Sequence, residues 1–586
     1  MAAQIQPRSV PPLATSANHA SSAEIDAALQ TLDAHKRRWV ETTIPERIAL
    51  LDRIKDGLIA VAADWANTAA RMKGLDPDSA LAGEEWISGP YALMAYCNAM
   101  MHTLKGLAEG RHLRSLPLRE LPGGQLAAKA MPQSFWDRLL LNGVSAEVWM
   151  EAGVTRQNLA QHTAGTYGAS SGGEGKVALV LGAGNIAAIA PLDCLHKLLV
   201  ENEVVVLKLN PVNEYLSDFL TPALAPLIEA GYLRILRGDA SVGQLLCNHP
   251  LVETIHITGS AISHDAIVWG VGEEGRLNKQ RRTPLNPRPI TSELGGVGPT
   301  IVVPGPWSAA DLRFQAEHVA TQKLHNGGFN CIASQVLVLS ASWPQKQAFV
   351  RQLEQTLASS TPRPLYYPGA AQRVERFEVD AGTPPKPVGN TSECVVTPFK
   401  AGSRRGLETV EVFAPALGVT ELEPADAEAF LRAAVDYANT QLAGTLGANI
   451  IIHPTTIKQI GRRRFEEILT ELHYGTIAVN AWSGVGFMLA QAAWGAFPGH
   501  TLEDVQSGIG FVHNSLLFDR AERTIVEGPF RPFPRNLLGG PLSLLPRPPW
   551  FVTNKRAHVL GRLLTRFQYR PSLFKVPRIF FEALRG

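Results

Sequence analysis

Residues 176–187, KVALVLGAGNIA, decide the fold. The run 176–181 is short, apolar and rich in β-branched residues, which predicts a buried strand. The glycine-rich segment 182–187 fits the pattern G-x-G-x-x-A and precedes a helical pattern at 191–201. This order predicts a βα unit in which Gly184 lets the backbone approach a pyrophosphate at a helix N-terminus. An ordinary tight βα turn would leave the same pattern.

Strands and helices continue to alternate beyond this unit. The predicted elements are strand 204–208, helix 215–230, strand 233–237, helix 243–248 and strand 254–258. A second α/β series occupies about 300–483 and includes a helix at 309–324. Strands that alternate with helices predict parallel sheets. We therefore predict an α/β fold of two doubly wound parallel-sheet lobes, with a ligand cleft between them.

Composition excludes several classes of protein. Hydrophobic residues make up 45% of the 586 residues, so the chain can bury sizeable cores and is not mainly disordered. Lys and Arg exceed Asp and Glu by 55 − 53, or +2. A chain so close to neutral does not have the excess of positive charge that is typical of a nucleic-acid-binding protein.

The cysteines and the N-terminus indicate the compartment. The five cysteines are scattered and form no C-x-x-C pair, which argues against a disulfide framework and against a metal site. Residues 1–22 are rich in Pro, Ser and Ala, which predicts a flexible tail without the apolar core of a secretory signal. No apolar run is long enough for a transmembrane helix. We therefore predict a cytoplasmic protein.

Cys331 is the strongest candidate nucleophile. It follows a glycine-rich turn in the segment 326–333, NGGFNCIA, where a predicted helix ends. A thiolate is the most nucleophilic side chain near neutral pH. A buried, inert cysteine is the alternative, since that is the usual state of a lone Cys. The neighbouring His325 forms no recognisable Cys-His arrangement and is interpreted as a helix-end residue.

Three further segments hold candidate polar groups. Glu293 lies in the segment SELGG, where a tight, partly desolvated turn raises a carboxyl pKa and suits a general base. Lys208 ends a predicted strand at the sheet edge where ligands bind, and it can contact a ribose or a 2′-phosphate. Thr258, Gly259 and Ser260 follow another strand and offer hydroxyl and N–H groups to a phosphate. Each of these has a structural alternative: an exposed turn acid, a lysine at a sheet edge, and a plain turn.

The order and spacing of these segments resemble the aldehyde dehydrogenase superfamily over roughly residues 40–515. Asn185 matches the asparagine of the Pro-Trp-Asn turn, and an ungapped run from it makes Lys208 the cofactor lysine. The remaining matches are Ile257-Thr258-Gly259-Ser260 with Phe-Thr-Gly-Ser, Glu293-Leu294-Gly295-Gly296 with the identical Glu-Leu-Gly-Gly, Cys331 with the cysteine of Gly-Gln-x-Cys-x-Ala, Glu411-Val412-Phe413-Ala414-Pro415 with Glu-Ile-Phe-Gly-Pro, and Trp494-Gly495-Ala496-Phe497-Pro498-Gly499 with the late Pro-Phe-Gly-Gly segment.

The resemblance implies an activity and a role for each residue. Cys331 would attack the aldehyde, the Asn185 amide would stabilise the oxyanion, and Glu293 would activate the hydrolytic water. The implied cofactor is NAD or NADP. The implied cofactor-binding residues are Gly184, Lys208, Gly243, Thr258, Gly259, Ser260, Leu294, Gly295, Glu411 and Phe413.

The chain departs from the family pattern at several positions. Pro211 replaces the glutamate that usually holds the adenosine ribose, which makes NADP plausible because a repulsion against a 2′-phosphate is lost. Phe329 and Asn330 replace the usual Gly-Gln before the cysteine, and Cys194 replaces a frequent lysine. Residues 272–287 form a charged insertion just before Glu293. The substrate pocket therefore cannot be inherited from better-known relatives.

The resemblance also implies a division of the chain and a homo-oligomer. The predicted parts are an NAD(P)-binding, Rossmann-like domain at 23–138 and 165–295, a small β oligomerisation arm at 139–164 and 500–515, a catalytic domain at 296–499 and a C-terminal extension at 516–586. A strand pair is expected near 139–151. The arm predicts a homodimer or homotetramer.

Two other functions remain open. The same cysteine could pass its acyl group to coenzyme A or act reductively on an acyl thioester, although acylating relatives generally lack the glutamate that Glu293 matches. A non-catalytic scaffold is the third possibility, and the joint presence of Cys331, Glu293 and Asn185 argues against it.

The end of the chain differs from the neutral remainder. Residues 551–586 carry eight Lys or Arg and one acid, interleaved with Phe and Leu. Such a segment could pack on the protein or on a neighbouring subunit. It could also attach weakly to an anionic membrane surface.

Overall fold

The computed structural model describes residues 19–168, 173–382, 386–387, 394–403, 406–538, 543–544 and 546–586. Of the predicted flexible tail, 1–18 lies outside the described residues. The first helix begins at Ser22, because Ser21 and Glu24 form a capping box that satisfies the first backbone N–H groups.

Helices are distributed along the whole described chain. Their bounds are α1 Ser22–Glu41, α2 Ile44–Met72, α3 Gly83–Trp86, α4 Ala92–Ala108, α5 Phe135–Leu140, α6 Ile189–Leu199, α7 Ser217–Ala223, α8 Ala225–Glu229, α9 Ala240–Asn248, α10 Ala261–Val268, α11 Gly272–Arg281, α12 Ala309–Leu324, α13 Lys346–Ser359, α14 Ala370–Ala381, α15 Gly406–Thr409, α16 Ala427–Gln441, α17 Pro454–Ile460, α18 Arg462–Glu471, α19 Ser483–Met488, α20 Ala557–Tyr569 and α21 Val576–Leu584.

Strands form two large sheets and one small one. Their bounds are β1 Leu118–Glu120, β2 Leu126–Met131, β3 Ser145–Met150, β4 Val177–Leu181, β5 Val204–Lys208, β6 Leu233–Leu236, β7 Thr254–Gly259, β8 Ile290–Leu294, β9 Gly298–Val302, β10 Ser334–Ser340, β11 Lys386–Pro387, β12 Val395–Pro398, β13 Ala416–Leu422, β14 Gly447–Ile451, β15 Thr476–Val479, β16 Ala493–Gly495, β17 Gly508–Ile509, β18 Phe511–His513 and β19 Ala521–Glu527.

The first lobe is a six-stranded sheet in the order β17-β8-β7-β4-β5-β6. All neighbouring pairs are parallel except β17 with β8. Leu181 lies in register with Lys208 on one side and with Ile257 on the other. The turns after these three strands therefore emerge at one carboxyl edge, as parallel pairing requires. The predicted doubly wound cofactor lobe is confirmed as a fold.

The second lobe is an eleven-stranded sheet in the order β1-β2-β3-β19-β15-β14-β9-β10-β13-β12-β11. Its centre from β19 to β12 is parallel. Antiparallel strands flank that centre, β1 to β3 on one side and β11 on the other. The predicted parallel α/β lobe is thus present, and it continues into a mixed sheet.

The predicted β arm is arranged differently. Only β3 forms within 139–151, because α5 takes residues 135–140, so the expected strand pair is wrong. β3 pairs with β2 and β19, whereas β17 joins the six-stranded sheet through Gly508 opposite Glu293. The segments 139–164 and 500–515 therefore belong to different sheets. The backbone of β3 pairs instead with strands at 126–131 and 521–527, which the sequence places in the cofactor domain and the extension.

The C-terminal extension packs on the first lobe through small residues. A side chain at Gly83 would overlap Ala557, and one at Gly561 would overlap the Trp86 side chain, so these glycines let α20 lie directly on α3. The Asn98 amide donates to the main-chain and side-chain oxygens of Gln568, at 2.8 and 2.9 Å. The extension after Glu527 is therefore a folded part of the lobe, as the first of the two interpretations predicts.

Other predictions can be compared with the model. Helix 215–230 is interrupted, because Pro222 and Pro226 divide it into α7 and α8. The charged insertion 272–287 contains α11. Within the described residues, no helix is long and apolar enough to cross a membrane.

Candidate active site

One cavity brings the three predicted catalytic residues together. Asn185, Glu293 and Cys331 all line it, between the carboxyl edge of the first sheet and the second lobe. The empty space in and around the cavity measures about 1450 Å³, part of it open to solvent. Most of the other lining side chains are apolar. The chemistry of the site is therefore concentrated in a few polar groups at one end.

Cys331 is positioned by the turn that ends α12. Asn326, Gly327 and Gly328 all have left-handed φ angles, of 55°, 66° and 81°. A side chain at Gly328 would come within 2.9 Å of the Ala414 backbone, so glycine is required there for space as well as for conformation. The turn leaves Cys331 half-buried and lining the cavity.

The Cys331 thiol donates a hydrogen bond to Glu293, with 3.6 Å between Sγ and Oε1. Burial raises the pKa of this thiol well above its usual range, and the charges of Glu293 and Glu411 raise it further. The cysteine is therefore a neutral thiol that faces the carboxyl group of Glu293. Cys331 is not enclosed, since it is half-buried and lines the cavity, and its reactivity stays a prediction.

Glu293 lies near the end of β8 and is buried. Burial raises its pKa to about 8, and the nearby charge of Asp193 adds to the increase. Its Oε2 atom has no hydrogen-bond partner among the described residues, while Oε1 accepts from Cys331. Glu293 is therefore not an exposed turn acid. Its carboxyl group can gain and lose a proton near neutral pH.

Asp193 belongs to a buried polar group behind Glu293. Its carboxylate accepts from the Thr258 hydroxyl at 2.9 Å and lies 3.5 Å from the His256 ring. Thr258 is in register with Glu293 on the next strand. The Thr258 side chain therefore faces this buried group, and only its backbone remains available for the predicted phosphate contact.

Asn185 is fixed by bonds at both its side chain and its main chain. The side-chain amide donates to the Phe329 carbonyl at 2.9 Å, two residues before the cysteine. The main-chain carbonyl accepts from Lys73 Nζ at 3.1 Å and from the Tyr366 hydroxyl at 3.2 Å. Asn185 thus spans the two lobes beside Cys331.

Lys73 was not predicted from the sequence. Its ammonium pairs with Glu85 at 2.8 Å and also donates to the Asn326 side chain at 2.9 Å. One buried cation therefore holds both Asn185 and the turn that carries Cys331. A sequence signal existed in the acid pair Glu84-Glu85 inside an otherwise apolar segment, since buried carboxylates require partners.

Glu84 supports the same turn. It accepts from the Asn326 backbone N–H at 2.7 Å and pairs with Arg363 at 2.6 Å. Arg363 holds the pKa of Glu84 below its usual value in spite of complete burial, which acts in the opposite direction. The cysteine turn is thus supported by charged groups from both lobes.

The residues that the resemblance assigns to the adenosine end of the cofactor lie at one edge of the first sheet. Lys208 ends β5, Gly259 ends β7, and Ser260 caps α10 by accepting from the Ser263 N–H at 3.2 Å. Gly259 and Ser260 are exposed. A side chain at Gly243 on α9 would meet only Leu181, at 4.0 Å, so the space above that glycine is open.

The remaining predicted residues lie between the lobes. A side chain at Gly295 would overlap the Glu411 carboxylate, and one at Gly184 would come within 3.1 Å of the Tyr367 hydroxyl. Leu294 is buried beside them. Phe413 packs against the Tyr367 ring, with 5.0 Å between centroids.

Glu411 carries an unsatisfied polar atom. Its Oε1 is buried and has no hydrogen-bond partner in the described part of the chain. Burial raises the pKa of this carboxyl to about 8, against the opposing effect of Lys323 and Arg373. An unpartnered buried acceptor is uncommon in folded proteins, and this one belongs to a carboxylate that a side chain at Gly295 would overlap.

Comparison with known proteins agrees with the order of motifs. Residues 184–364 match the model of the aldehyde dehydrogenase family, and this region holds Asn185, Glu293 and Cys331. The match covers about a third of the chain, so this segment is similar to the aldehyde dehydrogenase family. Aldehyde dehydrogenase LUC3 from Fusarium sp is 27% identical over 161 residues, which are 27% of this chain and 32% of that protein. The match thus spans about a third of the curated relative.

Solved aldehyde dehydrogenase structures share the fold. An NADP-dependent glyceraldehyde-3-phosphate dehydrogenase from Bacillus halodurans C-125, complexed with NADP, gives a TM-score of 0.55 at 18% identity, covering 87% of this chain and 92% of that one. An NAD-dependent aldehyde dehydrogenase from Sinorhizobium meliloti gives 0.55 at 17% identity, covering 87% of each chain. At such identities the likeness concerns the fold alone, so the chemistry of this protein must be argued from its own site.

Proposed function

We propose that this protein oxidises an aldehyde to a carboxylic acid with NAD or NADP, through an acyl intermediate on Cys331. The observation that carries the proposal is the hydrogen bond from the Cys331 thiol to Glu293 inside the cavity that Asn185 also lines. A nucleophile, a base and an amide donor at the end of an apolar cavity are the groups that acyl chemistry on an aldehyde needs.

The first step follows from that hydrogen bond. Glu293 takes the proton from Sγ, and the thiolate forms a bond to the carbonyl carbon. The carbonyl oxygen becomes an oxyanion, which accepts hydrogen bonds from the Asn185 amide and from the Cys331 N–H. One N–H of the Asn185 side-chain amide donates to the Phe329 carbonyl, which fixes the orientation of the amide. Its second N–H is then available to the oxyanion.

The residues at the sheet edge and between the lobes fit a dinucleotide. Glu411 Oε1 offers an acceptor to ribose hydroxyls, Ser260 and Gly259 offer donors to the pyrophosphate, and Gly243 leaves open space. When bound, the cofactor supplies the hydride acceptor that oxidises the thiohemiacetal to a thioester. Structures of the related fold are described as NAD-dependent or complexed with NADP.

Glu293 then acts a second time. After it has released the thiol proton to solvent, it accepts a proton from water as the water oxygen attacks the thioester carbonyl. The C–S bond breaks, the carboxylic acid leaves and the cysteine returns to its initial state. The raised pKa of Glu293, about 8, suits a group that must both take up and release a proton.

The charges around Lys208 support NAD over NADP, in contrast to the expectation from Pro211. Burial lowers the pKa of Lys208, while the carboxylates of Glu214 and Asp239 lie near enough to act in the opposite direction. A 2′-phosphate on the ribose at Lys208 would approach both carboxylates. Glu214 would then supply the repulsion against a 2′-phosphate that the glutamate replaced by Pro211 supplies in the family pattern.

Product analysis with and without coenzyme A tests the proposed reaction. We expect a free carboxylic acid, formed with stoichiometric cofactor reduction and without dependence on the thiol. Formation of an acyl thioester only when coenzyme A is present would replace the hydrolytic function by the acylating one. Absence of cofactor reduction with every aldehyde would support a non-catalytic scaffold.

We also propose a cytoplasmic homodimer or homotetramer. All five cysteines are free, which suits a reducing compartment, and the oligomer follows from the family resemblance. Light scattering after size-exclusion chromatography measures the oligomer, and a monomer at micromolar concentration would contradict it.

A further inference from the structure

The C-terminal extension lines the same cavity as the catalytic residues. Trp550, Leu560 and Leu564 contribute from the approach to α20 and from α20 itself, and Ile579, Phe580 and Ala583 contribute from α21. Leu560 and Leu564 are four residues apart on α20, and Ile579 and Ala583 are four apart on α21. Each pair therefore lies on one helix face, and both faces point at the cavity.

Other parts of the cavity lining are apolar as well. Val485 and Met488 of α19 and Trp482 before α19 line it. Trp136 and Leu140 of α5 also line it and pack against the apolar cluster of the extension. The charged residues among the lining groups are Glu293 at the reactive end and Asp137 near the extension. Asp137 is occupied, because it accepts the Gln133 and Ser134 backbone N–H groups at 2.9 Å in the cap of α5.

The extension is held firmly in this position. Trp136 packs edge-on against Phe567, with 5.1 Å between ring centroids, and Tyr569 donates to Asp56 at 2.7 Å. Arg556 and Glu582 join the two ends of the extension at 2.7 Å. A segment attached by so many specific contacts has a defined shape against which a substrate can bind.

We infer that the extension is the specificity-determining wall of the substrate site, and that the substrate is an aldehyde with an extended apolar chain. This inference rests on the proposed function. The aldehyde carbon would lie at Cys331, and the chain would pass along α5 and α19 to Leu564 and Ile579. A short or strongly polar aldehyde would leave most of this apolar wall in contact with water, whereas each buried methylene favours binding about fourfold.

A chain-length series in the full-length enzyme tests the inference. For straight-chain aldehydes from propanal to tetradecanal, we expect kcat/KM to rise about fourfold per methylene and then to level off when the cavity is full. Leu564→Trp, which fills the distal end, should remove most of the gain for dodecanal and leave propanal unchanged. Leu564→Ala should lower kcat/KM for dodecanal about tenfold, because apolar contact is lost, and should leave kcat/KM for propanal unchanged.

Leu563→Ala is the matched control, because Leu563 is a half-buried neighbour on α20 that does not line the cavity. It should leave the profile unchanged. A flat profile in the wild-type enzyme would overturn the inference, as would equal losses for short and long aldehydes in both Leu564 variants.

A binding measurement separates failure of this inference from failure of the proposed function. Bromine-terminated dodecanoate should quench the tryptophan fluorescence of Cys331→Ser, since Trp136, Trp482, Trp494 and Trp550 all line the cavity. Leu564→Trp in the same background should weaken that binding. Quenching in a protein that oxidises no aldehyde would defeat the proposed function alone. Oxidation of propanal without any quenching would defeat the inference alone.

Discussion

The two ends of the cavity are built in different ways. At the reactive end, Cys331, Glu293 and Asn185 are held by hydrogen bonds and by buried charges such as Lys73. At the distal end, apolar side chains from α20 and α21 form the wall by packing. Directional bonds fix atoms to within the tolerance of a reaction, whereas packed apolar surface fixes only a shape. On the proposed function, chemistry and selectivity would therefore reside in separate parts of the chain.

Removal of the nucleophile should have the largest effect. Cys331→Ala should lower kcat by at least about 10³-fold for every aldehyde, because no thioester forms. Cys97→Ala is a control, since Cys97 is buried in α4 away from the cavity. Comparable activity of Cys331→Ala and the wild-type enzyme would show that the reactive end lies elsewhere.

Asn185→Ala should lower kcat by about 10²–10³-fold, through loss of one donor to the oxyanion. KM should change far less, and the loss should be the same for short and long aldehydes. Steady-state kinetics along the chain-length series measure both quantities. A loss in kcat that depended on the chain length of the aldehyde would contradict the separation of the reactive end from the distal end. The melting temperature must be measured in parallel, because Asn185 also bonds Phe329.

The pH dependence should report Glu293. Since its carboxylate form increases as pH rises through about 8, kcat/KM should rise over the same interval. Asp193→Asn removes a negative charge that raises this pKa, so the rising limb should move to lower pH. Asp265→Asn is the control, because Asp265 pairs with Lys279 on α11, outside the cavity. An unmoved limb in Asp193→Asn would exclude Glu293 as the titrating group.

Cofactor preference should respond to Glu214. Glu214→Gln should raise kcat/KM with NADP relative to NAD by about three- to tenfold, because one carboxylate near Lys208 loses its charge. Glu229→Gln, which affects only an exposed pair with Arg53, should leave the ratio unchanged. A ratio that stays constant in Glu214→Gln would place the 2′ position away from this carboxylate.

The smallest expected effect is on membrane attachment by the outer face of the extension. Phe574 is 96% exposed and Phe581 is 58% exposed, near Lys575 and Arg578. Weak binding to anionic vesicles stays a prediction. The double variant Phe574→Glu and Phe581→Glu should sediment less with vesicles, whereas Phe135→Glu on α5, also exposed, should not differ from wild type. Equal sedimentation of all three proteins would end this prediction.

Local sequence patterns predicted helices and strands well where a single pattern of apolar residues continues along the whole element. Strand 204–208 and helix 309–324 form with the predicted bounds, because a continuous apolar run and a capped helical repeat leave little alternative. The helix predicted at 215–230 is longer than either observed helix, because two prolines divide the segment into α7 and α8. The β arm was wrong because the partners of β3 come from 126–131 and 521–527, and no local pattern specifies pairing over such separations.

By itself, the sequence determined which chemical groups this protein possesses: a cysteine after a glycine turn, an acid in ELGG and an asparagine after the first βα turn. Their residue types and local turns depend on near neighbours along the chain. Only the tertiary structure decided that Lys73 bonds Asn185 and Asn326, which lie 112 and 253 residues away from it, and that the last helices complete the cavity. Burial and long-range packing create those contacts. The acid pair Glu84-Glu85 indicates that buried partners are needed, but no local pattern specifies which residues supply them.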